Sequence, residues 1–405
     1  MDSNTPDLKH GPLTGIRVID LTTVISGPLS TMMLADQGAD VIKIETPDGG
    51  DYSRALATRR NGFSAAFVNN NRNKRSVTLD LKSAAGIAVL RELIKKADVL
   101  VQNFRPGVAQ RLGIGPKEMR ALNPRLIYAS IAGFGFEGPL VHKPVYDPLI
   151  QAVSSLTTVQ GGSDDDRPRL VRTVLPDKLT GYQTAQAIAA ALYARERQGE
   201  GQEITVSMLD TVVGFLWSSD MNGHTFVGDE LEREESQSFI DLIYKLQDGY
   251  VSVSIMQDKH WRDFAGAVDR LDLLLDRRFS TAELREINRD ARLQAIQDAI
   301  SDFTVEELID RLERADVPHA QVLTRTQMRK HPQVEANGTI IEYDHPLAGK
   351  LRQARHAAVF SRTPTSVRRG APSLGEHTRV VLHDFGVDIA LIDSVSPIDE
   401  SESIA

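Results

Sequence analysis

The sequence predicts an α/β fold, a mostly parallel sheet with helices on its faces, followed by a smaller α+β domain. Three observations carry this. Short apolar runs alternate with helical stretches between residues 15 and 130, the chain turns acidic and polar at 224–238, and short extended runs return from His331. The first strands are expected at 17–21, 40–45, 77–81, 99–103 and 126–130, each rich in Val, Ile or Leu and bounded by Gly, Pro, Asn or Asp. Residues 83–96 are expected to be helical, because Ile87, Leu90, Leu93 and Ile94 recur at spacings of three and four. A second helix follows Asp177. There Ala185, Ala187, Ile188, Ala189, Ala190, Ala191, Leu192 and Ala194 make nearly every face small or apolar, which predicts burial all round. A turn at 199–202 leads into a strand at 203–208, with Asp210 placed to start the next helix. Residues 224–238 mark a surface connection, 244–255 a hairpin through Gln247, Asp248 and Gly249, and 261–315 a densely charged helical stretch. Residues 379–386 are again helical, so the C-terminal segment is expected to pack back onto the first region, while 393–405, rich in Ser and acids, is expected to fray.

With 405 residues, 41% hydrophobic and 25% charged, the composition is that of a globular protein and excludes a disordered or fibrous chain. The balance of 47 Lys and Arg against 55 Asp and Glu gives −8, so the chain has no global attraction for nucleic acid, and any anionic ligand must be gripped locally. There is no cysteine, which removes disulfides, Cys-zinc sites, iron–sulfur clusters and thiol catalysis together. The polar start lacks the pattern of a signal peptide, and no apolar run approaches the ~18 residues of a membrane span. The expectation is a cytoplasmic protein without membrane or nucleic-acid partners.

No G-x-G-x-x-G follows the first strand and no G-x-x-x-x-G-K-[ST] occurs, so the opening βαβ unit lacks the usual nucleotide signature. The ten histidines are scattered without H-E-x-x-H, the run Asp164, Asp165, Asp166 lacks the spacing of a calcium loop, and no G-x-S-x-G elbow exists. No metal site is expected. Basic residues are more suggestive. Arg72, Lys74 and Arg75 precede a strand, while Asn103, Phe104 and Arg105 follow one, with Arg111 close behind. Singly each cation reads as a solvated surface charge; as a set they suit a phosphorylated ligand at the carboxyl ends of parallel strands. Asp177 directly precedes the Ala-rich helix, where its plain role is an N-cap, and where a carboxylate beside backbone donors could also act as a covalent catalyst.

Longer motifs resemble the family III CoA-transferases, which include formyl-CoA transferase, carnitine CoA-transferase and α-methylacyl-CoA racemase. They are G-I-R-V-I-D-L at 15–21, S-G-P at 26–28, G-A-D-V-I-K-I-E at 38–45 and N-R-N-K-R-S-V-T-L-D-L-K at 71–82. A-D-V-L-V-Q-N-F-R-P-G at 97–107, G-F-G-F-E-G-P at 133–139 and L-G-E-H-T at 374–378 follow. The resemblance implies a Rossmann-like large domain built from 1–223 and 331–405, a small α+β middle domain at 224–330, and two chains interlocked as a homodimer. It implies coenzyme A and acyl-CoA as substrates, a small carboxylic acid as the second partner, and no permanently bound cofactor.

Residue by residue, the resemblance transfers coenzyme A contacts to Ile25, Ser26, Leu79, Lys82, Asn103, Phe104, Arg105, Arg111, Val145, Tyr146 and Asp147. A family arginine is Thr46 here, so one contact is lost or falls to Arg54 or Arg72. The family nucleophile corresponds to Asp177, which would pass through a mixed anhydride and an aspartyl-CoA thioester, with backbone donors expected from 135–138. The racemase branch has a histidine where this chain has Tyr146, whose side chain, with an ordinary pKa of about 10, is a poor proton abstractor. Transfer of CoA is therefore preferred over racemisation or a silent acyl-CoA-binding scaffold. Residues 252–258 lack the glycine run of oxalate-using formyl-CoA transferases, which points away from formyl-CoA and oxalate.

Overall fold

The computed structural model describes residues 11–56, 58–230 and 241–396. Residues 231–238 of the expected connection and 397–405 of the expected frayed end lie outside the described residues. The chain divides into two compact units, Met1–Glu235 with Gly338–Ala405, and Ser236–Asn337.

The first unit is built on six parallel strands: β1 (Arg17–Asp20), β2 (Asp40–Glu45), β3 (Lys74–Thr78), β4 (Val99–Gln102), β5 (Ile127–Ala132) and β6 (Glu203–Ser207). Their order is β3-β2-β1-β4-β5-β6, which reverses between β1 and β4. Loops leaving these two strands diverge and open a crevice at their carboxyl ends. Buried strands of this kind alternate their side chains between two cores. Val18, Val41, Val99, Val101, Ile127 and Ala129 face one side, while Ile19, Ile42, Leu100 and Tyr128 face the other.

Five helices of this unit matter for the site: α1 (Ser26–Asp36), α2 (Ala84–Ile94), α3 (Asp147–Val153), α4 (Leu175–Gln198) and α5 (Met208–Trp217). Leu34 and Ala35 of α1 pack with Ala185, Ile188, Ala191 and Leu192 of α4 on the first face; Val89, Leu90, Leu93 and Ile94 of α2 cover the second. Helix α2 forms where the apolar spacing predicts it, and Ser83 caps it by accepting the Gly86 N–H. Ser207, rather than Asp210, caps α5.

Two expectations are corrected. Helix α4 is not buried all round: Ala189, Ala190, Tyr182 and Tyr193 are exposed, the tyrosines at 56% and 67%. The sheet with α1, α3 and α5 leaves this side of it uncovered. Strand β3 begins at Lys74 instead of residue 77, because the cations before it are matched by carboxylates. Lys74 Nζ lies 2.9 Å from Asp20, Arg72 Nη2 2.7 Å from Asp36 and Arg75 Nη2 2.6 Å from Asp40. A charged residue fits a buried strand when a nearby carboxylate, here from β1, β2 or α1, supplies the counter-ion.

The second unit holds an antiparallel sheet of β7 (Ile243–Lys245), β8 (Tyr250–Val253) and β9 (His319–Gln321), in the order β9-β8-β7. Helices α6 (Asp258–Ala267) and α7 (Val305–Arg314) bury Trp261, Phe264, Leu308 and Leu312 in its core, and Thr304 with Glu307 forms a capping box on α7. The C-terminal residues of the first unit form a hairpin, β10 (Ile340–His345) and β11 (Gly349–Ala354), and helix α8 (Thr378–Asp384). Val381 and Leu382 of α8 join the core over β3 and α2, and the Gly375 N–H donates to Ser76 Oγ. Among the described residues no helix is long and apolar enough to cross a membrane.

Candidate active site

The chain leaves β1 through Thr22, Thr23 and Val24 and re-enters helix at Ser26. Asn103, directly after β4, donates from Nδ2 to the Thr23 carbonyl at 2.9 Å and accepts the Thr23 N–H on Oδ1 at 3.0 Å. This pair of bonds closes the floor of the crevice between the two diverging strands. Val24 follows with φ +75°, a left-handed conformation that costs a β-branched residue about 1–2 kcal/mol.

Helix α4 enters from the opposite side. Its N-cap is Val174, which supplies no side-chain bond, Pro176 has no N–H to offer, and Asp177 is the third helical residue. The plain reading of Asp177 as the N-cap is thus corrected. Its N–H donates to Asp147 Oδ2 at 3.1 Å, so a carboxylate from α3 does the capping and the Asp177 carboxylate is released into the cleft. Asp147 is fixed in turn by Gln151, whose Nε2 donates to Oδ1 at 2.6 Å and whose Oε1 accepts the Val171 N–H at 3.0 Å. One turn beyond Asp177, a Cβ at Gly181 would stand 2.9 Å from the Ser26 carbonyl oxygen. Glycine there lets α4 press against α1, which brings the Ser26 donors to Asp177.

Burial pushes the Asp177 carboxyl up from its ordinary value to about 6, and the neighbouring charge of Asp147 adds to this, while the hydroxyl and N–H of Ser26 pull it down. Asp147 is also raised, by burial, against the bonds from Gln151 and from the Asp177 N–H. A buried carboxylate, Asp147, and a half-buried one, Asp177, without a salt bridge to either among the described residues, form an unusual local environment, of the kind found where carboxylates do chemistry.

The cleft has a volume of about 270 Å³. It is lined by Ser26, Asn103, Phe104, Arg105, Val145, Tyr146, Asp147 and Asp177 of the residues singled out from the sequence. The remainder lie elsewhere. Lys82 and Arg111, both exposed, line a second groove of about 620 Å³ together with Arg91. Leu79 is 1% exposed within the core. Arg72 is held by Asp36 and by the Ala354 carbonyl, while Arg54 is held by Glu45 and lies over the Phe67 ring, so both guanidinium groups are occupied by the scaffold. Ile25 sits at the α1 cap, next to the cleft-lining Val24 and Ser26. Gly133 and Phe134 line the cleft, but 135–138 do not. Sequence reasoning passed over Thr23, Val24, Lys143 and Met208, which also line it. Of these, Thr23 and Val24 carried a usable signal, their position immediately after the first strand of a parallel sheet.

The model for "CoA-transferase family III" matches residues 13–378. An acetyl-CoA:oxalate CoA-transferase of Acetobacter aceti is 34% identical, over 95% of this chain and 98% of its own. A succinate–glutarate CoA-transferase of Agrobacterium fabrum is 32% identical, over 93% and 96%. A CAIB/BAIF family protein from Brucella suis superposes with a TM-score of 0.82 at 28% identity, covering 93% of this chain and 100% of its own. A parallel sheet whose switch-point crevice holds an uncapped, half-hidden carboxylate, in a chain matched to this family across most of its length, identifies the protein as a member of the family III CoA-transferases, an enzyme of the CoA-transferase class.

Proposed function

We propose that the enzyme moves coenzyme A between an acyl-CoA and a small carboxylic acid, with Asp177 as the covalent carrier. The observation that carries this reading is the Asp177 carboxylate itself, relieved of capping by Asp147 and met by the Ser26 donors in the switch-point cleft. With a pKa of about 6 it is about nine-tenths ionised at pH 7, so it attacks without a general base, and its raised basicity strengthens it as a nucleophile. The carboxylate adds to the donor thioester carbonyl and expels CoA thiolate, leaving an aspartyl–acyl anhydride. The thiolate then attacks the aspartyl carbonyl, which releases the donor acid and forms aspartyl-CoA. The acceptor carboxylate displaces thiolate from this thioester to give a second anhydride, and thiolate attack on its acyl carbonyl yields the new acyl-CoA and free Asp177.

Coenzyme A runs from the cleft towards Lys82 and Arg111, whose exposed cations suit its phosphates. Arg105 and Lys143 line the cleft that holds Asp177, and two cations beside an apolar wall of Ile131, Val141 and Val145 suit a short dicarboxylate acceptor. The relatives named for oxalate and glutarate are consistent with that class. The enzyme works as an interlocked homodimer in the cytoplasm. The uncovered small-residue and tyrosine face of α4 supports the first statement and the cysteine-free chain the second.

The test incubates the protein with acyl-CoA donors and dicarboxylic acids in deuterated buffer, followed by trapping with hydroxylamine. Acid-dependent CoA exchange with modification of Asp177 is the expected result. Deuterium at the α-carbon without exchange would replace the reading with a racemase, and binding without either with a silent scaffold.

A further inference from the structure

We propose that the buried Lys43–Asp51 pair is a positioning device for the reacting carboxylate, holding Val24 left-handed and thereby keeping the donors of Ser26 on Asp177. This rests on Asp177 being the reacting group. Lys43 lies on β2 opposite Asp20 of β1, and its Nζ stands 2.9 Å from Asp51 Oδ2, both side chains being fully buried. Neither residue lines the cleft, so neither touches substrate. Each also makes one bond to the backbone of the strained loop. Lys43 Nζ donates to the Thr22 carbonyl at 2.8 Å, and Asp51 Oδ1 accepts the Val24 N–H at 3.1 Å.

The loop is held at every step. Asp20 accepts the Thr22 N–H at 2.9 Å, Asn103 binds both backbone groups of Thr23, and Asp51 takes Val24. Two residues later Ser26 lines the cleft beside Asp177, where α1 and α4 touch at Ser26 and Gly181 and the Ser26 donors bear on the Asp177 carboxylate. Asp51 is itself organised: its N–H donates to Glu45 Oε1 at 3.0 Å, and its Oδ1 accepts the Ser53 N–H and hydroxyl at 2.9 and 2.8 Å. A pair serving stability alone could be replaced by apolar residues without loss. Here it is spent on the one β-branched residue held left-handed in the cleft, and strain of that kind persists only where the surroundings over-determine it.

The experiment follows the ¹³C signal of the Asp177 carboxyl against pH in the full-length protein without substrate. Asp51→Ala removes the acceptor of the Val24 N–H, and the titration midpoint is expected to rise by about half a unit or more as the Ser26 donors drift away. Asp51→Asn keeps an acceptor and is expected to hold the midpoint within about 0.2 unit of the native value. Adding Val24→Gly to Asp51→Ala should restore at least half of the shift, since glycine adopts φ +75° without a restraint. Asp51→Ser, too short to reach the Val24 N–H but still polar, serves if the alanine variant does not fold, with the same rise expected. A folded Ala or Ser variant with the native midpoint, or an Asn variant that shifts as far as Ala, would overturn the proposal. The titration needs no turnover, so absence of CoA exchange in the native enzyme would sink the functional reading while leaving this test intact.

Discussion

Two groups of buried carboxylates lie close together in the first unit and behave in opposite ways. Beneath the loop after β1, Asp20, Glu45 and Asp51 face Lys74, Lys43 and Arg54, which hold all three carboxyls below their ordinary range despite burial. At the mouth of the crevice, Asp147 and Asp177 face each other without a paired cation, and both are raised. On the function proposed above, the contrast separates charge that fixes the scaffold from charge kept available for reaction. Burial raises the carboxyls of both groups; only the buried cations of the first group reverse the sign.

The sharpest way to break this contrast is to remove one charge from each side. Asp177→Asn should lower CoA exchange by on the order of 10³-fold or more, the loss expected of a nucleophile. The same variant should be more stable at pH 7, by on the order of 1–2 kcal/mol in denaturant unfolding. A carboxyl raised from 3.8 to about 6 favours the fold when protonated, so its ionisation costs stability as pH rises through that window, and the advantage of the amide disappears below pH 4. Lys74→Met works on the other group. It strands Asp20 in the core and should cost about 3–5 kcal/mol, read from the same unfolding curves. The depressed carboxyls imply the reverse pH trend, with stability present above pH 4 and lost as pH falls through their folded values.

Smaller perturbations sharpen the comparison. Gly181→Val pushes α4 away from the Ser26 carbonyl, and kcat is expected to drop about tenfold while KM for the acyl-CoA changes little, because a shift well short of 1 Å at the nucleophile suffices. Asp147→Asn removes the like charge but keeps an acceptor for the Asp177 N–H. The midpoint of the rising kcat/KM–pH profile should fall below about 6 by a few tenths of a unit, without loss of fold.

Much of the sheet is legible in the sequence, since β2, carried by Val41, Ile42 and Ile44 despite the buried Lys43 among them, has ends that coincide with its predicted ends, and β1, β4 and β5 lie within two residues of theirs. Strand β3 is displaced because Lys74 looks like solvent-facing charge until Asp20, 54 residues away, is known to be its partner. The same blindness turned Arg72 into a candidate phosphate ligand, when Asp36 already holds it. Asp177 illustrates the opposite failure. Local rules make it an N-cap, and only the resemblance raised it to a nucleophile; its freedom depends on Asp147, which pattern alone does not bring to the same helix start. Val24 gave no conformational signal, because no propensity puts valine in the left-handed region.

The cleft is walled by the end of β5, by residues that follow β1, β4 and β5 and by the first turns of α1, α3, α4 and α5, whereas most of the paired aliphatic cores lie behind them in the strands. The pocket wall and the sheet cores therefore occupy largely separate stretches of chain, which meet at Ile131, a member of both. Exchanging residues 133–146 between members of the family would reshape the pocket wall and, through Phe134 and Val145, also the small core of Ile150, Met208 and Val212 on which they pack, so a new pocket has to bring its own packing with it.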